Sequence, residues 1–461
     1  MHRLHGAEAE DTLAGLGRET WLVASFKGGQ RREYRHLPRA DILIDRIGEL
    51  VTLAEGGLPR TGASLQELSI VPNAAVAILG EEIVAAGPAH EVNREWMATT
   101  RIDAHGGTVS PGFVDPHTHP VFAVTREHEF EMRLQGKSYV EIALAGGGIN
   151  SSVQAVRDMD EESLAQRARQ RADGFLRCGT TTIEAKSGYG LSTEAELKML
   201  RVIDRLAREH PLDVVPTFLG AHEIPPEYRE RRGDYVDLVI EEMIPAVAES
   251  GLARYCDVFC EAHVFGLEET RRIGEAALAR GLELRLHVDE IEPLGGAELA
   301  AELGAKTADH LGAISPKGIQ ALAEKSVHPV LLPGTSFFLR LPKHAPAREL
   351  IAAGTAPCLA TDFNPGSCPT QSMPMILTLA CLQYRLGVAE AISAATVNAA
   401  CSLGLGDRIG RIAEGLQADV VIWGVPNHRH LAYHFGQDHV RVVIKRGRVV
   451  YENQLDEDVL T

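Results

Sequence analysis

The chain has 461 residues, of which 45% are hydrophobic and 24% are charged, a composition that is ordinary for a globular protein. Its formal net charge of −17 argues against binding to nucleic acid or to an anionic membrane, because like charges repel. A small anionic substrate would therefore need a cation placed at its binding site.

The seven cysteines are scattered along the chain, and they do not form the paired spacing of a structural zinc site. We therefore expect reduced thiols and a cytoplasmic location. The N-terminus has no apolar core of a signal peptide, and no apolar run is long enough to span a membrane.

The two ends of the chain share one pattern. Residues 1–38 carry many charges and little periodicity, and we interpret them either as a partly ordered N-terminal extension or as a result of the choice of start site, which the sequence alone does not separate. Short strands punctuated by Gly and Pro follow in residues 39–108 and return in residues 406–461. They predict a small β-sandwich domain formed by both termini, with strands at residues 41–45, 75–79, 82–86, 418–423, 440–445 and 447–451.

The middle of the chain, residues 109–405, alternates between apolar strand-like runs and amphipathic helical stretches. Repeated strand–helix units of this kind predict an α/β fold, and eight of them match a (β/α)₈ TIM-like barrel. The predicted barrel strands lie at residues 112–114, 180–185, 213–219, 257–261, 282–288, 307–310, 329–332 and 358–361.

Polar residues at the strand ends are candidates for chemistry, because a barrel carries its active site at the C-terminal ends of its strands. His117 and His119 follow the first strand, where alternate residues point to the same face. His287 on the fifth strand and Asp362 after the eighth can converge with them on one divalent ion. Imidazole and carboxylate ligands suit zinc or iron, and such an ion acidifies bound water. An isolated His-x-His pair is more simply two polar loop residues, but four ligands at matching strand ends favour a metal site.

Eight short motifs occur in order along the chain: VDPHTH at 114–119, REHEF at 126–130, EIALAGGGI at 141–149, KSGYGL at 186–191, TFLGAH at 217–222, DVFCE at 257–261, LHVDE at 286–290 and DFNPGS at 362–367. Together they resemble the amidohydrolase superfamily and, within it, the imidazolonepropionase family, over about residues 40–455. Each motif is weak alone, but their number and order make the resemblance specific.

The resemblance implies that a homodimer hydrolyses 4-imidazolone-5-propanoate to N-formimidoyl-L-glutamate in histidine degradation. It implies one zinc or iron ion per subunit, held by His117, His119, His287 and Asp362. It also implies a shell of substrate-binding residues, comprising Arg126, Tyr189, His222, Glu290, Asn364, Gly366 and Ser367. Catalysis is then expected of Asp362, His310 and Glu290. Many related barrels use a carboxylated lysine to bridge two metals, and the end of the fourth strand at 259–261 has no lysine, which favours a single ion.

Three of these assignments have an alternative that the sequence leaves open. Arg126 suits the propanoate because a guanidinium grips a carboxylate bidentately, but it is otherwise a surface residue paired with Glu127 or Glu129. Residues 364–367 bind the ligand or form a turn, and both roles are compatible. His310 polarises the ring carbonyl, holds the water or orients the metal-ligating carboxylate.

Other functions also fit part of the pattern. A mononuclear metal-dependent deaminase of a cyclic amidine or purine would share the spacing of His287 and Glu290, but a neutral base needs no carboxylate clamp. A hydantoinase-like enzyme is disfavoured by the missing bridging lysine. A scaffold without catalysis would be expected to have lost metal ligands that this chain retains.

Overall fold

The structure is a computed structural model that describes residues 21–23, 33–35, 37–137, 141–142 and 147–453. Most of the predicted extension 1–38 lies outside the described residues, as do residues 143–146 of the EIALAGGGI motif. No helix in the described ranges is long and apolar enough to cross a membrane.

The strands follow one another along the whole described chain. In order they are β1 (Trp21–Val23), β2 (Glu33–Arg35), β3 (Arg39–Val51), β4 (Ile70–Leu79), β5 (Glu82–Pro88), β6 (Met97–Asp103), β7 (Thr108–Pro111), β8 (Phe113–Asp115), β9 (Thr180–Lys186), β10 (Asp213–Ala221), β11 (Tyr255–Cys260), β12 (Glu283–Val288), β13 (Thr307–His310), β14 (His328–Leu331), β15 (Cys358–Leu359), β16 (Val420–Trp423), β17 (Val440–Lys445) and β18 (Arg448–Glu452).

The helices lie mainly between the strands of the central region. They span Ala89–Glu95, Glu127–Leu134, Ile149–Asp158, Glu161–Arg177, Thr193–Glu209, Arg232–Leu238, Ile244–Ser250, Leu267–Ala279, Gly296–Leu303, Pro316–Lys325, Pro333–Phe338, Ala347–Ala352, Met373–Gln383, Val388–Ala394, Val397–Ser402 and His430–Tyr433. Short 3₁₀ turns occur at Gly62–Gln66 and Pro226–Tyr228, and a π-helical turn occurs at Val239–Met243.

The central region is a barrel of eight parallel strands, as the strand–helix alternation predicted. Strands β8 to β15 pair in chain order, each with its sequence neighbour. A parallel bridge between Thr118 and Phe363 then joins the first strand to the segment after the eighth. Across this bridge His119 N donates to Phe363 O at 2.8 Å, and Asp362 N donates to His117 O at 3.1 Å. Barrel closure therefore brings the first and last of the predicted ligand segments into direct contact.

The helix Thr193–Glu209 illustrates how the sequence attaches a helix to the outside of the barrel. Ser192 caps the helix by accepting a hydrogen bond from Ala195 N, which satisfies one of the free amides of the first turn. Met199, Ile203 and Leu206 recur at helical spacing and are buried against the barrel. The burial of this stripe attaches the helix to the strands and leaves the strand ends free to carry polar residues.

The second sheet is built from both ends of the chain, so the chain forms a barrel with a β domain, as the sequence indicated. Its strand order is β18-β17-β16-β7-β3-β4-β5, with β6 also paired to β3. Arg46 has a left-handed φ of 54°, and the register of β3 shifts between Ile44 and Ile47. The bulge lets β3 pair first with β6 and then with β7, so the sheet wraps an apolar core of its own. The boundaries 39–108, 109–405 and 406–461 stay our proposed division into domains.

A buried charge network ties the β domain to the barrel. Lys445, at the end of β17, donates to Asp213 of the barrel at 2.8 Å and to Asp419 at 2.5 Å. Burial alone would raise the pKa of Asp213, but Lys445 and Arg446 lower it to about 2. Side-chain exposure is only 8% at Asp213 and 1% at Lys445, so screening by water is weak.

We expect Asp213→Asn to lower the free energy of unfolding by about 2 kcal/mol at pH 7, the value of a pKa held nearly two units below normal. Because the folded pKa of Asp213 is depressed, this stabilisation is present above pH ~4 and is lost as the pH falls towards ~2. Denaturant unfolding of both proteins should therefore show a difference that shrinks over that range. Asp204→Asn, which breaks an exposed pair with Arg208, is the control and should change stability by under about 1 kcal/mol. An equal loss in the two variants would contradict the network's role.

Candidate metal centre and active site

The ligand-type residues lie at the C-terminal ends of four barrel strands. His117 and His119 follow β8, His287 lies in β12, His310 ends β13, and Asp362 follows β15. All five side chains are buried, at 8% exposure or less. The structure therefore brings the candidate ligands named from the sequence to the same end of the barrel.

Three of these side chains form an almost equilateral triangle of donor atoms. His117 Nε2 and His119 Nε2 are 3.4 Å apart. Asp362 Oδ1 lies 3.5 Å from His117 Nε2 and 3.4 Å from His119 Nε2. Ligand atoms about 2.0–2.1 Å from a tetrahedral zinc ion stand about 3.3–3.4 Å from one another. The triangle therefore fits one face of a tetrahedral metal site, and its nitrogen and oxygen donors are of the type such a metal prefers.

His287 and His310 approach the same triangle from the side of His117. The ring centroid of His287 lies 4.4 Å from that of His117 and 5.7 Å from that of His119. Ligand atoms of His117, His287 and His310 lie within 4.8 Å of one another, as do those of His117, His119 and Asp362. Two possible ligand sets thus share His117, and the predicted set of four draws on both.

Buried carboxylates orient two of the imidazoles, and the sequence interpretation did not assign them. Asp309 Oδ2 lies 2.6 Å from His117 Nδ1, and Asp257 Oδ1 lies 3.0 Å from His287 Nδ1. In the neutral imidazole, each contact favours the tautomer with hydrogen on Nδ1, so Nε2 is the atom that would bind a metal. The sequence does carry a signal for Asp257 and Asp309: an acidic residue within an apolar strand is buried, and a buried carboxylate needs a polar partner.

A fully buried lysine links these carboxylates. Lys186 Nζ donates to Glu184 Oε1 and to Asp257 Oδ2, both at 2.8 Å. Glu184 in turn accepts from the backbone N of Thr118, the residue between the two histidines of the first strand. Lys186 therefore links the carboxylate that supports His287 to the backbone between His117 and His119.

The local charges set the protonation of the ligand residues. Burial lowers the pKa of His287 to about 3, so its imidazole is neutral. Burial also opposes the charge on His117, but hydrogen bonds to Asp309 and Asp362 raise its pKa to about 9. Burial would raise the pKa of Asp362, yet His117 and His119 hold it well below its usual range. An ionised carboxylate next to an imidazole with a high proton affinity is a setting that also attracts a metal cation.

A cavity of about 420 Å³ opens above the triangle. Among its lining residues are ten predicted site residues: His119, Arg126, Tyr189, His222, His287, Glu290, His310, Asp362, Asn364 and Ser367. His117 lies fully buried beneath it. The site residues inferred from separate motifs therefore surround one space.

Arg126 combines both interpretations that the sequence left open. Its Nε lies 3.6 Å from Glu129 Oε2, so it has an acidic neighbour, but it is only 5% exposed and lines the cavity. Its Nη1 is buried without a hydrogen-bond partner among the described residues. Gly366 leaves room for the guanidinium, since a Cβ there would lie 1.1 Å from Arg126 Nη2.

Asn364 organises the loop after the eighth strand. Its Oδ1 accepts from Gly366 N at 2.8 Å and from Ser367 N at 2.7 Å, while its Nδ2 donates to Asp362 O and to Ser367 Oγ. These four bonds occupy the hydrogen-bonding capacity of the amide. Asn364 thus forms the turn that was the alternative interpretation and positions Ser367 at the cavity wall.

The remaining candidates form two groups on the cavity wall. Glu290 Oε1 lies 3.6 Å from His310 Nδ1, and burial raises the pKa of Glu290. His222 stacks on His119 with ring centroids 5.2 Å apart, and its Nδ1 bonds to Gly188 O at 2.9 Å. Tyr189 packs beside both rings. One group offers a carboxyl and an imidazole for proton transfer, and the other offers polar ring edges.

Metal retention should distinguish the two possible ligand sets. We expect His287→Ala to lose bound zinc or iron on dialysis, because His287 is a ligand in our assignment. We expect His310→Ala to keep the metal, with a dissociation constant within about a factor of ten of the wild type, and to lose activity. Metal analysis of both variants, side by side, tests this, and loss of metal from His310→Ala would reverse the assignment.

The chain resembles known proteins over nearly its whole length. The sequence model of the amidohydrolase family matches residues 108–450. An imidazolonepropionase from Symbiobacterium thermophilum is 51% identical over 416 residues, which cover 89% of this chain and 97% of that protein. An imidazolonepropionase from Solibacter usitatus is 52% identical over 413 residues, covering 89% and 99%. The crystal structure of a zinc-bound adenosine deaminase from Xanthomonas campestris has the same fold, with a TM-score of 0.67, 19% identity and coverage of 91% and 96%. The chain therefore belongs to the amidohydrolase family and, within it, to the imidazolonepropionases.

Proposed function

We propose that the chain hydrolyses 4-imidazolone-5-propanoate to N-formimidoyl-L-glutamate. The relatives named imidazolonepropionase, about half identical over almost their whole length, support the reaction. The observation that carries the proposal is a donor triangle of tetrahedral dimensions beneath a cavity with a buried arginine in its wall. A hydrolytic centre and an anchor for a carboxylate thus face the same space.

One zinc or iron ion per subunit is the cofactor that we assign to His117, His119, His287 and Asp362. Imidazole nitrogen and carboxylate oxygen are donors that suit zinc and iron, and a catalytic ion would need a further position for water beyond these four residues, on the side of the cavity. When bound, the ion supplies a nucleophile from water at neutral pH and polarises the ring carbonyl.

The chain's own residues then move one proton. Asp362 accepts a proton from water as the water oxygen attacks the ring carbonyl carbon. His310 donates to the carbonyl oxygen as negative charge develops there, a contribution often worth ~3–4 kcal/mol. Glu290, whose pKa is raised by burial, lies beside His310 and relays this proton from Asp362 to the leaving ring nitrogen. The ring carbon–nitrogen bond breaks, the nitrogen takes the proton, and Asp362 and Glu290 return to their starting states, so one water molecule has been added in total.

The propanoate determines how the ring is oriented. Arg126 offers its buried Nη1 to the carboxylate, and Ser367 and Tyr189 line the same cavity. Arg133, Lys137 and Arg340 also line it, against two acidic residues, Glu290 and Asp362. A local excess of cations overcomes the repulsion that a chain of net charge −17 exerts on an anion.

The homodimer and the cytoplasmic location stay predictions.

The direct test mixes metal-loaded protein with 4-imidazolone-5-propanoate and follows the loss of substrate absorbance. We expect N-formimidoyl-L-glutamate as the product without release of ammonia, and no turnover by His119→Ala. Release of ammonia from a cyclic amidine or purine, with no reaction of the imidazolone, would instead support a deaminase.

The role of Arg126 can be tested with a paired change in enzyme and substrate. Arg126→Gln should raise KM on the order of 100-fold with a smaller change in kcat, because it removes a charged partner of the propanoate. The wild type should discriminate against the propanamide analogue by a similar factor, and the variant should not. Arg271→Gln, which breaks an exposed pair with Glu302, is the matched control. Equal discrimination by Arg126→Gln and wild type would remove Arg126 from the substrate site.

A further inference from the structure

Asp362 is fixed by the protein at three of its four polar groups. Its backbone N donates to His117 O at 3.1 Å, and its carbonyl accepts from Asn364 Nδ2 at 2.7 Å. Its Oδ2 accepts from Thr335 Oγ1 at 2.5 Å. The remaining group is Oδ1, which faces the two histidine nitrogens of the donor triangle. The side chain thus offers one defined oxygen to the metal position.

The hydroxyl of Thr335 decides which oxygen that is. The torsion that swaps the two oxygens of a carboxylate is soft and roughly two-fold, so a carboxylate without a donor exchanges them readily. A hydrogen bond of 2.5 Å from a hydroxyl to a carboxylate is of the short, charge-assisted kind. Thr335 is 1% exposed, so water does not compete for this bond.

The surrounding packing holds Thr335 in place. It lies in the short helix Pro333–Phe338, directly after β14. Gly334 brings this helix close to the eighth-strand segment, because a Cβ at Gly334 would lie 2.6 Å from Cys368 Sγ. On the other side, Ser336 Oγ lies 3.1 Å from Tyr384 OH. The hydroxyl is therefore presented by a rigid element rather than by a flexible loop.

We propose that Thr335 is a positioning residue for the metal-ligating carboxylate: by binding Oδ2 of Asp362 it keeps Oδ1 directed at the metal position. The seventh strand thereby contributes to the site through a hydroxyl and not through a ligand. Thr335 is not among the described residues that line the cavity, so its effect should reach metal binding and turnover but not substrate affinity. The statement about turnover rests on the proposed function, whereas the statement about metal affinity does not.

The test compares Thr335→Val, which keeps the shape and removes the hydroxyl, with Thr335→Ser, which keeps the hydroxyl. Competition with a chelator gives the zinc dissociation constant, and the visible spectrum of the cobalt(II)-loaded protein reports ligand geometry. We expect Thr335→Val to weaken zinc binding roughly 10- to 100-fold and to alter the cobalt spectrum. At saturating metal its kcat should fall about 10-fold or more, with KM for the imidazolone within about twofold. Thr335→Ser should recover most of the affinity and of kcat.

Thr355→Val controls for the loss of any buried hydroxyl. Thr355 is 4% exposed and donates to Leu350 O at 2.8 Å, without contacting Asp362. It should lose stability but keep the zinc affinity and the cobalt spectrum. If Thr335→Val does not fold, Thr335→Ala gives the same comparison with less bulk.

Zinc affinity and a cobalt spectrum unchanged in Thr335→Val would overturn the proposal, as would a loss that Thr335→Ser fails to recover. These readouts need no substrate. If the wild-type protein binds metal but leaves the imidazolone intact, the proposed function fails while the role of Thr335 is still decided by the metal measurements.

Discussion

The closure of the barrel is the constraint on which the site depends. The same two backbone hydrogen bonds that join the first strand to the eighth, from His119 N to Phe363 O and from Asp362 N to His117 O, also set the spacing of the donor triangle. Thr361 strengthens this junction by donating to Asp115 through its backbone and its hydroxyl. A barrel that failed to close would leave the carboxylate and the two imidazoles on separate edges of an open sheet.

Closure brings several carboxylates into one buried space, where their negative charge must be offset by nearby positive charge. Glu184, Asp257, Asp309 and Asp362 are all nearly or fully buried, together with the cations of Lys186 and Arg285. Lys186, Arg285 and a proton on His117, whose pKa is raised to about 9, offset part of this negative charge. Since uncompensated buried charge is costly, a bound cation would take over the compensation that the His117 proton supplies.

The sequence predicts the main architecture and most of the residues around the candidate site. The strand–helix alternation indicates the barrel, and the positions of His117, His119 and Asp362 at strand ends indicate the donor triangle, because both features follow from short-range patterns along the chain. For Arg126, the sequence left two alternatives, binding of the propanoate or pairing with a neighbouring glutamate. In the structure Arg126 lies next to Glu129 and also lines the cavity, so the two roles are compatible.

The supports of the ligands could not be predicted in the same way. Asp309 lies opposite His287 in the parallel register of β12 and β13, yet it binds His117 across the barrel interior. Lys186 contacts Asp257, 71 residues away along the chain. Such contacts depend on barrel closure and on the inward direction of each side chain, neither of which a local pattern encodes. Thr335 was missed for a different reason, since a search for ionisable groups passes over a hydroxyl that acts through a carboxylate.

In the proposed reaction, water attacks the ring carbonyl at the donor triangle. Turnover of 4-imidazolone-5-propanoate in ¹⁸O-labelled water, followed by mass spectrometry of fragments of the product, tests it most directly. Attack at the ring carbonyl places one ¹⁸O atom per molecule in the newly formed α-carboxylate of N-formimidoyl-L-glutamate. Label retained in the formyl fragment, with loss of nitrogen as ammonia, would show attack at the amidine carbon and contradict the account.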